Sequence, residues 1–178
     1  MFPVIKSMAK EGFSYHGMLY AGLMITAEGP KVLEFNVRMG DPEAQPIMTR
    51  MKSDLVPFLM NTIDGDIKDQ HIEWDERNSV CVVLCSEGYP KEYQKGLEIT
   101  GLNSINDPDI IVFHAGTAQK EGSIVTSGGR VLGVTGIGND LNSAIQKTYT
   151  AVDLIQFKGK SYRKDIGQKG LKRGSASS

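Results

Sequence analysis

The stretch "KVLEFNVRM", residues 31–39, alternates apolar and polar side chains with a period of two over most of its length. That period fits an extended strand, because successive side chains of a strand point to opposite faces. The preceding run "YHGMLYAGLMIT" (15–26) is rich in strand formers and carries no charge, and "AEGP" (27–30) between the two is turn chemistry. Two such runs joined by a short glycine-containing turn predict an antiparallel hairpin. Leu33, Phe35 and Val37 form its apolar face, which is expected to pack on a core. Glu34, Asn36 and Arg38 share the other face.

Downstream, "GDPEAQPIMTRMKSDLVPFLMNTIDG" reads as helical in two pieces. Asp41 is expected to cap the first, with Pro42 at its first position. Ser53 or Asp54 caps the second, where Pro57 falls in the tolerant first turn. Residues 64–78 turn polar and lose any clean apolar period, marking a boundary from which Trp74 docks onto a surface. Short strand-like runs follow, "SVCVVLCSE", "LEITGL", "DIIVFHAGTA", "SIVTSGG" and "RVLGVTGIG", separated by turn signals. They predict a small, mostly antiparallel sheet or partial barrel. "DLNSAIQKTYTAVDLIQF" then predicts a helix with Leu141, Ala144, Ile145, Thr148, Val152 and Ile155 on one stripe, capped by Asn139 or Asp140. The expected fold class is α+β. Its parts are residues 1–63, a linker over 64–76, a β-rich domain with one long helix over 77–170, and a flexible tail over 171–178.

At 178 residues the chain can bury one good core or two small ones. A net charge of −1 argues against wholesale nucleic-acid binding, which needs a broad basic surface. No apolar run approaches the roughly 18 residues of a membrane span, so a soluble, cytoplasmic protein with no membrane partner is the expectation. Cys81 and Cys85 lie four apart in a predicted strand, about 13 Å from each other. A disulfide needs Cα atoms within about 7 Å, so they are expected to be reduced thiols.

The polar face of 34–38 carries the most chemistry. A carboxylate and an amide oxygen two residues apart on a strand can both reach one hard cation, and magnesium and manganese take such ligands together with phosphate oxygens. Arg38 could grip a phosphate or carboxylate bidentately. Gly40 permits an unusual turn, and Asp41-Pro42-Glu43 is expected to open a helix whose amides attract anions. On spacing alone, the same triplet is also the wet face of any amphipathic antiparallel strand.

The longer pattern "YHGMLYAGLMIT…GPKVLEFNVRMGDPEAQPIMTRMKSDL" resembles the C-terminal half of the ATP-grasp domain of the phosphoribosylamine–glycine ligase (glycinamide ribonucleotide synthetase) family. "GYP", "VFHAGTA", "TSGGRVLGVT" and "YRKDIG" are similar to that family's C-terminal domain, in the same order. The resemblance runs from about Tyr15 to Gly167. It implies the second half of an ATP-grasp domain followed by a small β-rich domain. It also implies ATP as substrate, Mg2+ or Mn2+ as cofactor, and ligation of glycine to 5-phosphoribosylamine through a glycyl phosphate in purine biosynthesis. By the same resemblance Glu34 and Asn36 match the metal pair, and Arg38 the arginine that stabilises the transferring phosphoryl group. Asp41 and Glu43 match positions where glycine or the amine substrate approaches. Two departures stand out. Residues 16–26 contain no Asp or Glu to serve a second metal. The family's N-terminal domain and the first half of its ATP-grasp domain have no counterpart here, which implies a fragment inactive alone, with the missing half supplied elsewhere.

Other features invite other readings. His16, His71 and His114 form no ligand pattern, and the glycines of "GVTGIG" lack the strand–helix context of a dinucleotide fingerprint. "SGG" (127–129) reads as a hairpin turn. Residues 158–173 hold seven basic residues and one acidic, against −7 for the rest of the chain. That asymmetry suggests an alternative, a module binding nucleic acid or an acidic partner through this tail; a further one is a non-catalytic assembly partner supplying half a site.

Overall fold

The structure is a computed structural model and describes residues 1–174. It divides into two compact units, residues 1–44 with 51–74, and residues 45–50 with 75–178.

The first unit opens with α1 (Phe2–Lys10), followed by β1 (Tyr20–Thr26) and β2 (Gly29–Asn36). The two strands pair antiparallel as a hairpin. The connecting loop is Ala27-Glu28, shorter than the turn expected over 27–30. Gly29 sits at φ 104° and already begins β2. The Thr26 hydroxyl closes the loop, accepting from the Glu28 amide at 3.2 Å and donating to the Gly29 carbonyl at 2.8 Å. The pairing slips by one residue between Gly22 and Leu23, so Leu33 is an extra residue on β2, a β-bulge.

Residues 41–43 form turns, and α2 (Ala44–Arg50) begins three residues later than the expected cap. Pro46 explains the start: it occupies the helix's first turn, where a missing N–H costs nothing. α3 (Leu55–Asp64) is capped by Asp54, whose carboxylate accepts from the Val56 amide at 2.9 Å, and it ends at Gly65 in the left-handed conformation. Met51 and Trp74 are joined by a backbone bridge, and the Ser53 hydroxyl accepts from the Glu73 amide at 2.7 Å. Both contacts tie residues 66–74 back to the first unit, later in the chain than the expected end at 63.

In this unit the apolar face of β2 does not pack on a core. Leu33, Phe35 and Val37 are 64%, 42% and 67% exposed. A sheet of two strands has no second layer of its own, and the unit's only buried residues are Gly22 and Gly40.

The second unit holds the hydrophobic core. β3 (Asn78–Ser86), β4 (Ile110–His114), β7 (Arg130–Gly138) and β8 (Lys160–Ser161) form a sheet in the order β4-β7-β3-β8, antiparallel throughout. β5 (Thr117–Lys120) and β6 (Ser123–Thr126) make a separate hairpin. Residues 127–129 are therefore a corner between two sheets rather than a hairpin turn: Gly128 approaches the Gly116 backbone, and Gly129 lies where a side chain would collide with the Tyr89 ring. "LEITGL" forms only isolated bridges, Glu98 to Val125 and Thr100 to Gln156. Gly101, at φ 86°, ends it where any Cβ would strike the Leu154 carbonyl.

α4 (Leu141–Leu154) buries Ala144, Ile145, Thr148, Ala151 and Val152; of the expected stripe Leu141 is only half-buried and Ile155 is buried just past the helix end, while Ala151 is added. Asp140 and Ser143 form a reciprocal capping box at its start. At its end the Lys160 ammonium donates to the Val152 and Ile155 carbonyls, at 3.0 and 2.6 Å. Val82, Leu84, Val131, Leu132, Val134, Val152 and Ile155 are fully buried together. Cys81 and Cys85 sit on β3 without a disulfide. α5 (Gln168–Gly174) covers half of the stretch expected as a flexible tail; 175–178 lie outside the described residues.

A charge network ties the start of β3 to the loop before β4 and to α4. Arg77 donates to the Asp75 carboxylate and, at 2.8 Å, to Asp109, while Lys147 donates to Asp109 at 2.6 Å. The Lys147 and Arg77 hydrogen bonds hold the Asp109 carboxyl below the ordinary carboxylate range. A depressed native pKa adds stability that is full above the unfolded value of about 4 and is lost as pH falls through the native one. Asp109→Asn is thus expected to lower the urea midpoint near neutral pH, with the gap to wild type closing at strongly acidic pH. Leu84→Ala, at a fully buried site, should cost about 2–5 kcal/mol in the same unfolding experiment.

Candidate active site

All five polar residues singled out by sequence lie in the first unit, on or just after β2. Glu34 and Asn36 are two apart in a regular stretch of strand and so share a face. Their cross-strand partners are Gly22 and Tyr20. Partners in an antiparallel pair project to the same side, so the face carries Tyr20, Gly22, Glu34 and Asn36.

Gly22 matters by what it lacks. A Cβ there would lie 3.0 Å from Glu34 Cγ and 3.6 Å from its Oε1. The glutamate therefore lies across the backbone of the neighbouring strand. Among the described residues, no hydrogen bond or ion pair engages its carboxylate. Asn36 is half-buried, and its Nδ2 is shut from solvent without a hydrogen-bond partner.

Beyond the strand, the Arg38 guanidinium donates from Nη1 to the Met39 carbonyl at 2.9 Å and is otherwise exposed. The 40–43 turn closes with the Ala44 amide donating to the Gly40 carbonyl at 2.9 Å. Asp41 is exposed and Glu43 half-buried. The Tyr20 hydroxyl donates to Glu43 Oε1 at 3.3 Å, which links the turn to the strand face. Charges around Tyr20 raise its phenol pKa: Glu43 first, then desolvation and Glu34, with Arg38 opposing them. The four groups therefore act in one electrostatic neighbourhood.

The helix start expected to offer amides to an anion is not formed by residues 41–43, and α2 has only seven residues. His114 bonds Thr117 through Nδ1 at 3.0 Å, and among the described residues no group of three or more His, Cys, Asp or Glu could hold a metal. Tyr20 and Gly22 were not singled out by sequence. Their signal is the hairpin itself, but counting outward from the two-residue loop pairs Tyr20 with Phe35. Only the bulge corrects this.

Comparisons with known proteins point one way. Residues 1–44 match the family model described as "Phosphoribosylglycinamide synthetase, ATP-grasp (A) domain", and residues 79–169 that described as "Phosphoribosylglycinamide synthetase, C domain". The phosphoribosylamine–glycine ligase of Caldanaerobacter subterraneus is 48% identical over 164 residues, covering 92% of this chain and 39% of its own length. The trifunctional purine biosynthetic protein adenosine-3 of Gallus gallus is 51% identical over 168 residues, 94% of this chain and 17% of its own. The crystal structure of phosphoribosylamine–glycine ligase from Thermotoga maritima superposes with a TM-score of 0.76 at 39% identity, over 90% of this chain and 39% of that one. A biotin carboxylase domain from Hydrogenobacter thermophilus, at 16% identity and a TM-score of 0.59, shares the fold. The chain thus spans about two-fifths of the length of the single-function ligases it matches.

The Gly22 contact gives a direct structural prediction. Gly22→Val should displace the Glu34 side chain and shift its carboxyl carbon resonance, while leaving the unfolding of the second unit unchanged. An unshifted Glu34 resonance would mean that the side chain does not lie across Gly22.

Proposed function

The chain belongs to the phosphoribosylglycinamide synthetase family, and from that premise we propose that it contributes part of the site at which ATP drives ligation of glycine to 5-phosphoribosylamine. The single observation behind this reading is that family motifs run in register along the chain while Glu34 and Asn36 share one strand face with Arg38 just beyond it. In this reading the first unit belongs to an ATP-grasp domain and the second is the family's C domain.

The residues fit a divalent cation. Among the described residues nothing engages the Glu34 carboxylate, and the Asn36 amide can turn over without losing a hydrogen bond to them, bringing Oδ1 to the position of its unpartnered nitrogen. Both are hard oxygen donors, suited to Mg2+ or Mn2+ with phosphate oxygens completing the shell. When bound, the cation neutralises charge on the transferring phosphate. Arg38, tethered among the described residues by one hydrogen bond to the Met39 carbonyl, can turn toward the same phosphoryl group. Asp41 and Glu43 present carboxylates to the amine of a substrate.

The steps balance. A glycine carboxylate oxygen attacks the γ-phosphorus and ADP leaves. The amine of phosphoribosylamine then attacks the acyl carbon, expelling phosphate and losing a proton. The chain's contribution to the first step is electrostatic and positional, as expected for phosphoryl transfer.

Positioning alone can supply about 7–11 kcal/mol of barrier lowering. We infer that other groups holding ATP and the sugar phosphate lie in the three-fifths of the ligases' length that these residues do not span. The 178-residue chain by itself is then expected to show no glycine-dependent ADP release. Supplying the remaining family segment in trans should restore it; Glu34→Ala should abolish the restored activity, and Lys172→Ala should not. Turnover by the 178 residues alone, or restored activity indifferent to Glu34, would overturn the assignment.

A further inference from the structure

Glu43 is held from two sides by groups to which no role has been given. The Tyr20 hydroxyl donates to its Oε1 at 3.3 Å. At the other oxygen, Oε2, Gly40, buried in the turn, lies so close that a Cβ there would fall inside the Glu43 carboxylate. Tyr20 itself is placed by register, since the bulge at Gly22 and Leu23 sets it opposite Asn36 on the face that carries Glu34. The carboxylate of the turn is thereby anchored to the strand face instead of swinging in solvent.

We propose that Tyr20 and Gly40 are positioning residues that latch Glu43 onto the Glu34–Asn36 face as a fixed anionic acceptor for the ammonium group of glycine. The inference rests on the ligase reading above for the identity of the ligand, whereas the latch itself rests on geometry. A phenol suits this role. It donates one hydrogen bond to the carboxylate without neutralising it, leaving the remaining lone pairs for a cation. With an ordinary pKa of about 10, a phenol is protonated across the physiological range and stays a donor. Gly40 complements it by leaving the carboxylate room, since a Cβ there would collide with Glu43 Oε2 and force the carboxylate to shift.

Two measurements test the two parts separately. In the 178-residue chain at neutral pH, with its tyrosines carbon-labelled at the phenol carbon, the Tyr20 resonance should move in Glu43→Gln, which weakens the hydrogen bond from the phenol, and in Gly40→Ala, which displaces the carboxylate. A Tyr20 resonance unmoved by Glu43→Gln overturns the latch, whatever the fate of the ligase reading, and Glu43→Gln keeps the test valid should Gly40→Ala fail to fold. In the reconstituted enzyme, Tyr20→Phe should raise the KM for glycine roughly tenfold, the scale of one lost hydrogen bond to a charged group. The KM for ATP should stay unchanged and kcat should change little. Tyr20→Phe/Glu43→Gln should be no worse than Glu43→Gln alone, as for two members of one unit. A loss spread equally over glycine and ATP, or full additivity, would make Tyr20 merely structural and overturn its role. If the wild-type pair neither turns over nor binds glycine, the ligase reading and the glycine role fail together, while the Tyr20 resonance still decides the latch.

Discussion

What the first unit brings together across its hairpin depends on one slip of register. From the loop at Ala27-Glu28 the two strands pair in step until Leu23 meets Val32; one step on, Gly22 meets Glu34 and Leu33 is left over. A one-residue shift in an antiparallel pair moves a side chain to the opposite face. Without the bulge Tyr20 would face away from Asn36, and Glu34 would have Ala21 across from it in place of the glycine over which it lies. The bulge is thus what sets a phenol and a gap across from the carboxylate and the amide on a single surface.

The two units differ in what holds them. The second has a core of fully buried aliphatic residues between an antiparallel sheet and α4, a helix capped at both ends, and a charge network around Asp109. The first buries no apolar side chain, and α3 exposes Val56, Leu59, Met60 and Ile63 at helical spacing. The chemistry proposed here resides on the unit with the least burial of its own. That is consistent with a site completed by other polypeptide.

Much of this was legible in the sequence, for physical reasons that differ by element. The period of two in 33–38 declared a strand and put Glu34 and Asn36 together on one face, because alternation survives any register. The α4 stripe was readable because its 3.6-residue period is imposed by the sheet beneath. What escaped was long-range or steric. The pairing of Tyr20 with Asn36 needed the bulge. The exposure of Leu33, Phe35 and Val37 depends on which layer, if any, lies opposite, and alternation is silent on that. The start of α2 was misplaced because two prolines, Pro42 and Pro46, compete for the first turn, and only the second occupies it. The "SGG" corner looked like a hairpin turn because local glycine chemistry is the same for both; β6 and β7 simply belong to different sheets.

The central claim is that Glu34 and Asn36 together hold one divalent cation shared with nucleotide phosphates. Adding Mn2+ with ATP to the nitrogen-labelled 178-residue chain tests it most directly, because the paramagnetic ion broadens resonances according to their distance from it. The account predicts weak binding, with the amide signals of Gly22, Glu34, Phe35 and Asn36 broadening first, and loss of that pattern in Glu34→Ala. Broadening centred instead on Asp109 in the loop before β4, or a pattern on β2 that Glu34→Ala leaves intact, would contradict it.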